Sequence, residues 1–138
     1  MVLLGEEHVD TLSASSNYAA TLRQLNRCDE AKTVTRKMMP VARRVLGQGH
    51  HVTLTMRWIY AQSLYGDNGA TLDGLREAVT TLEETARISR RVLGNSHPVT
   101  VGIEGSLKRS RAMLRAVEEC VNETSNNENF SSHQPASL

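Results

Sequence analysis

Leu46-Gly47-Gln48-Gly49-His50-His51-Val52-Thr53-Leu54 decides the fold of this chain, because its outline, LGxxH with a threonine three residues later, occurs three times. The other copies are Leu4-Gly5-Glu6-Glu7-His8 ahead of Thr11 and Leu93-Gly94-Asn95-Ser96-His97 ahead of Thr100, so the offsets are 42 and 47 residues. Between copies, Thr11-Leu12, Tyr18-Ala19 and Leu22 return as Thr53-Leu54, Tyr60-Ala61 and Leu64, and Glu30-Ala31 returns as Glu77-Ala78. Both intervals close on Arg-Val-Leu-Gly, at residues 44–47 and 91–94. A period near 40 residues, matched at this many positions, signals stacked supersecondary units, each too small to bury its own apolar face.

Within each unit the apolar spacing is helical. Leu12, Ser15, Tyr18, Ala19, Leu22 and Leu25 follow a 3.6-residue period, as do Leu54, Trp58, Ala61, Leu64 and Tyr65, which defines two leading helices. Second helices are predicted from about Asp29 to Leu46 and from about Asp73 to Leu93. Each ends on a glycine, with Arg43, Arg44, Arg90 and Arg91 at the negative end of the helix dipole. The five extra residues of the second unit fall in Gly66-Asp67-Asn68-Gly69-Ala70-Thr71, a turn composition that lengthens a loop and leaves the helices alone. Pro40, inside the first of these second helices, removes a backbone donor and predicts a bend.

The third unit opens with Pro98 at the first helical position and then departs from the pattern, with Lys108 where the others have alanine and Arg111 where they have leucine. Such a helix reads as a solvated cap to the stack. The expected organisation is therefore a helical repeat domain over 1–122, with repeats at about 4–46 and 47–93 and a capping helix over 97–122, followed by a flexible polar tail over 123–138.

Sixteen basic and fifteen acidic residues leave a net charge of +1, too small a field to draw the chain to nucleic acid or to an anionic membrane. Met1 to Leu4 is too short for a signal peptide or a membrane span, which makes a cytoplasmic location the expectation. Cys28 and Cys120 stand 92 residues apart with no second cysteine at zinc-ligand spacing, so they predict packed thiols. His8, His50 and His97 recur because the motif recurs, which points to helix capping, and no metal is implied. Asp67, Gly69, Thr71 and Asp73 alternate like part of a calcium loop, but Ala78 stands where a bidentate glutamate is needed. No nucleophile elbow, P-loop or dinucleotide-binding glycine pattern occurs, so neither catalysis nor a cofactor is expected.

The combination of LGxxHPxTL, a small residue after an aromatic one, Glu-Ala and then RxLG resembles the 42-residue tetratricopeptide repeat (TPR) of kinesin light chains and their relatives, over about residues 4–114. The resemblance implies an all-α fold, a right-handed superhelical stack of antiparallel helix pairs whose leading helices line a concave groove. Carried across position by position, it assigns to that groove Ser16, Asn17, Arg23 and Gln24 of the first unit, Trp58, Gln62 and Tyr65 of the second, and Arg109 of the third. Trp58 and Tyr65, seven residues apart on one helix face, are the implied anchors. The asparagine with which the family holds peptide backbones survives only as Asn17, its counterparts being Ile59 and Ser106. The implied role is an adaptor or scaffold binding a protein or peptide in the groove. The alternative is a structural subunit or fragment docked end to end in a larger helical-repeat assembly, with self-association through the uncapped N-terminal helix face as a further expectation.

Overall fold

The computed structural model describes residue 5, residues 8–66 and residues 70–132. They form five helices: α1 (Val9–Gln24), α2 (Cys28–Leu46), α3 (His51–Tyr65), α4 (Leu72–Leu93) and α5 (Pro98–Ser132). There is no strand among the described residues. Each helix packs on the next, and α1, α3 and α5 also touch in that order, so the odd helices form one layer and α2 and α4 the other. This is the predicted all-α stack of helix pairs.

The repeated motif builds the joint between units. Gly47 and Gly94 end α2 and α4 at φ of 90° and 92°, a region closed to most side chains, and their N–H groups donate to the carbonyls of Arg43 and Arg90. Three residues on, a histidine starts the next helix. The Nδ1 atoms of His8, His50 and His97 accept from the N–H of Asp10, Val52 and Val99, each at 3.1 Å, and so satisfy one of the orphan donors of α1, α3 and α5. The motif's threonine then ties the new helix to the preceding one: Thr53 Oγ1 donates to the Ala42 carbonyl at 3.3 Å, and Thr100 Oγ1 shares a 2.6 Å hydrogen bond with Ser89 Oγ. Both threonines are buried.

Two apolar clusters hold the layers together. Leu12, Met38, Ala42, Val52 and Met56 join α1, α2 and α3. Tyr60, Ala61, Leu64, Leu75, Ala78, Leu82, Ala86, Ile103 and Leu107 join α3, α4 and α5. Across α3 and α4 the buried Arg57 guanidinium meets Glu84 at 2.8 Å, and its hydrogen bond holds the Glu84 carboxyl below the ordinary glutamate range. Arg90–Glu104 at 2.7 Å and Arg111–Glu83 at 3.3 Å bridge α4 to α5 on the surface.

The predicted second helices agree with α2 and α4 to within one residue, and α2 is continuous through Pro40. The C-terminal boundary is different. Residues 123–132, expected as irregular tail, continue α5 to Ser132, because no glycine or proline interrupts the chain between Gly105 and Pro135. That extension has exposed side chains from Glu119 through residue 127. Residues 133–138, Met1 to Leu4, and Asp67 to Gly69 of the inserted turn and the rejected calcium loop lie outside the described residues. No described helix is long and apolar enough to cross a membrane.

Candidate functional site

The face on which the groove is expected is the side of the odd-helix layer turned away from α2 and α4. Its central feature is a buried hydroxyl. Ser106, on α5, receives three donors: Trp58 Nε1 at 2.8 Å, Gln62 Nε2 at 3.4 Å and Arg109 Nη2 at 3.3 Å. Trp58 and Gln62 are four residues apart on α3, and Ser106 and Arg109 three apart on α5, so one turn of each helix packs directly on the other. Three of the eight predicted groove residues thus meet at a serine that pattern reasoning had placed only as a lost asparagine.

A glycine makes the meeting possible. A Cβ built on Gly102 would lie 2.2 Å from Trp58 Cη2 and 2.5 Å from its Cζ2, so the outer atoms of the indole's six-membered ring occupy the space a side chain would need. Gly102, a glycine inside a helix, is the sequence signal for such a close approach. The indole is half-buried, packed against the α3–α4–α5 cluster with its N–H donated to Ser106.

The remaining predicted residues divide. Asn17 and Gln24 are exposed on α1, and Asn17 borders a shallow depression with Ser13, His51 and Thr55 between α1 and α3. Ser16 lies at the same depression but is 5% exposed. Arg23 is half-buried, and its Nε has no hydrogen-bond partner among the described residues. Tyr65 is corrected from groove anchor to core: it is 9% exposed and belongs to the cluster with Leu75 and Ala78. The physical reason is its place in the last turn of α3, where α4 folds back over it, so the seven-residue spacing from Trp58 does not keep both rings on an open surface. The Tyr65 hydroxyl has no partner among the described residues.

Chemically this cluster combines an amide, a guanidinium and an indole N–H around one buried hydroxyl. Among the described residues no group of three or more His, Cys, Asp or Glu side chains is arranged to hold a metal ion. In comparisons with known proteins, the sequence profile of the family described as tetratricopeptide repeat matches residues 11–51 and 71–99, together just over half of the chain. The stretch between the two matches holds most of α3 and the inserted turn. No curated protein and no solved structure matches the chain.

Proposed function

This chain belongs to the tetratricopeptide repeat family, with repeats of the long kinesin-light-chain-like type, and on that premise we propose that it is an adaptor whose concave groove receives an extended peptide or a helix of a protein partner. Repeats of this family serve in general as protein-interaction modules. The observation that carries the reading for this chain is the convergence of Trp58, Gln62 and Arg109 on Ser106. Groups held by a buried acceptor have already lost their side-chain freedom, so a ligand meets pre-oriented donors at a lower entropic cost. Arg109 keeps further N–H donors for a carboxylate or carbonyl, Gln62 keeps its amide oxygen, and Asn17 and Gln24 extend the polar track along α1. The chain's net charge of +1 favours no nucleic-acid ligand.

The test uses peptides selected from a random 12-residue display library on the full chain, then measured against the double variant Gln62→Ala/Arg109→Ala. Affinity should fall by roughly tenfold or more, with the thermal melt unchanged, as expected for a few dominant contacts in a groove. Peptides that bind the variant as well as the parent would overturn the groove assignment. The second reading, a subunit docked end to end, is favoured by exposed side chains at the two ends of the stack: Tyr18 is 54% exposed on α1 and Val101 57% exposed on α5. A monomeric mass at every concentration in light scattering would remove it.

A further inference from the structure

The net charge of +1 hides an uneven distribution along the chain. Residues 31–66 include six basic residues and no acidic one, and residues 85–103 include three basic residues and no acidic one. Their counter-charges must come from other elements. The seam where α2 and α4 both pack on α3 shows how far those counter-charges reach.

The seam has three levels. At the first, Arg36 of α2 donates to the Tyr60 hydroxyl at 3.3 Å, and that hydroxyl donates to Glu77 of α4. At the second, Arg57 of α3 pairs with Glu84 of α4 at 2.8 Å. Each of these levels holds one cation and one carboxylate. Arg43 stands seven residues after Arg36 on α2, and on α4 Glu77, Glu84 and Arg91 are also spaced by seven, so both helices carry the same face onward to their C-terminal ends. Arg87, three residues after Glu84, lies on this side of α4 as well.

The third level therefore has three guanidinium groups and no carboxylate of its own. Arg43, Arg87 and Arg91 are exposed, and none of them forms an ion pair among the described residues. Glu84 cannot serve them. Its carboxyl is held below the ordinary range first by the hydrogen bond from Arg57, with the charges of Arg87 and Arg43 adding to it, and Arg57 is only 6% exposed. Taking Glu84 from Arg57 would leave a buried charge unpaired. Beside the cluster Val92 is 50% exposed and touches the loop between α2 and α3, where a Cβ on Gly49 would lie 3.0 Å from Val92 Cγ2. That contact sets the last turn of α4 next to the end of α2.

We propose that this end of the α2–α4 seam binds an acidic segment of a partner protein, whose carboxylates pair with Arg43, Arg87 and Arg91 and whose adjoining apolar side chain covers Val92. Charge complementarity selects the occupant. Guanidinium groups form paired, charge-assisted hydrogen bonds with carboxylates, and three of them without an acid of their own are best matched by a ligand that brings several. The surface is separate from the cluster at Ser106, which lies between α3 and α5.

The probe is a fluorescein-labelled peptide of ten glutamates with one leucine at its centre, titrated by fluorescence anisotropy into the full chain at low salt. Saturable binding is expected, weakened about tenfold or more by Arg43→Gln/Arg91→Gln. Lys108→Gln/Arg115→Gln, which removes the same charge from exposed positions of α5, and Gln62→Ala/Arg109→Ala should each weaken it by less than about threefold. Glutamine is a good helix former, so the melts should match the parent's. Should the double variant melt lower, Arg43→Gln and Arg91→Gln alone carry the same test, each with a loss of about threefold or more. Absence of saturable binding would overturn the inference, as would equal losses in the α2–α4 and α5 variants, because net charge alone would then account for it. Binding confined to a peptide with phosphoserine in place of glutamate would assign the surface to a phosphorylated segment and overturn the acidic one. Tighter binding of an oligodeoxythymidine of equal charge would overturn the protein partner. A concentration-dependent mass of the chain alone, abolished by Arg43→Gln/Arg91→Gln, would assign the surface to a second copy and overturn the partner likewise.

Discussion

Helices α1 and α3 start from the same motif and carry the same Thr-Leu, Tyr-Ala and Leu positions, yet α3 buries eleven of its 15 residues and α1 four of its 16. The difference lies in their neighbours. Among the described residues, α3 is met by helices α1, α2, α4 and α5, whereas α1 is met by α2 and α3 alone. Thr53 reaches back to α2 and Thr100 to α4, but Thr11, the first of the series, is only half-buried. In a repeat stack the burial of a residue is thus set by which units flank it as much as by its own identity, and equivalent positions carry unequal energies.

The comparison is broken or sharpened most strongly at the paired tyrosines. Tyr60→Ala should cost ~3 to 5 kcal/mol of folding stability, the range for large aromatic side chains removed from a core, and Tyr18→Ala should stay within about 0.5 kcal/mol. Urea denaturation of the two variants measures both. Equal losses would mean that α1 is covered on its outer side in solution.

A smaller difference is expected at the histidine caps. His50→Ala removes the acceptor for the Val52 N–H at a half-buried helix start and should cost about 1 kcal/mol, the usual loss for an N-cap. His8→Ala removes the same 3.1 Å bond at an exposed start, where water replaces it, and should cost less than about 0.5 kcal/mol. Thermal melts of the two variants would show the ranking, and a reversed order would deny the role of the neighbouring helices.

The smallest effect is electrostatic. The second unit has the Arg57–Glu84 pair where the first has Ser15 and Lys37. Because the hydrogen bond from Arg57 lowers the Glu84 pKa in the folded state, the pair's contribution is full above the ordinary glutamate value of 4.5 and is lost as the pH falls through the lowered one. Glu84→Gln should therefore flatten the acid limb of the stability profile, and at pH 7 it should cost less than about 1 kcal/mol, since the Glu84 side chain is 47% exposed. An acid limb identical to the parent's would show that the pair is not formed in solution.

What was legible in the sequence was local. Leu-Gly followed by histidine specifies a helix stop and a helix start within five residues, so the edges of α2 and α4 could be read to within one residue. The groove was legible in part for the same reason. Helical spacing places Trp58 with Gln62 on one face of α3 and Arg109 one turn from Ser106 on α5, whatever those helices touch.

The sequence by itself determined the number of units, their joints and the faces of each helix, because a helix period and a left-handed glycine act over a few residues. Only the tertiary structure decided which side of a face is open. Tyr65 shares a helical face with Trp58 but is closed over by α4, and Ser106 becomes the acceptor for three side chains only because Gly102 lets α5 approach the indole. Tyr18 and Tyr60 are the same residue in the same pattern, yet α2 lays Arg36 over the Tyr60 ring while Tyr18 stays 54% exposed. Burial is a property of neighbours that the fold brings together, as Arg36 is brought to Tyr60 from 24 residues away, and no local period encodes it.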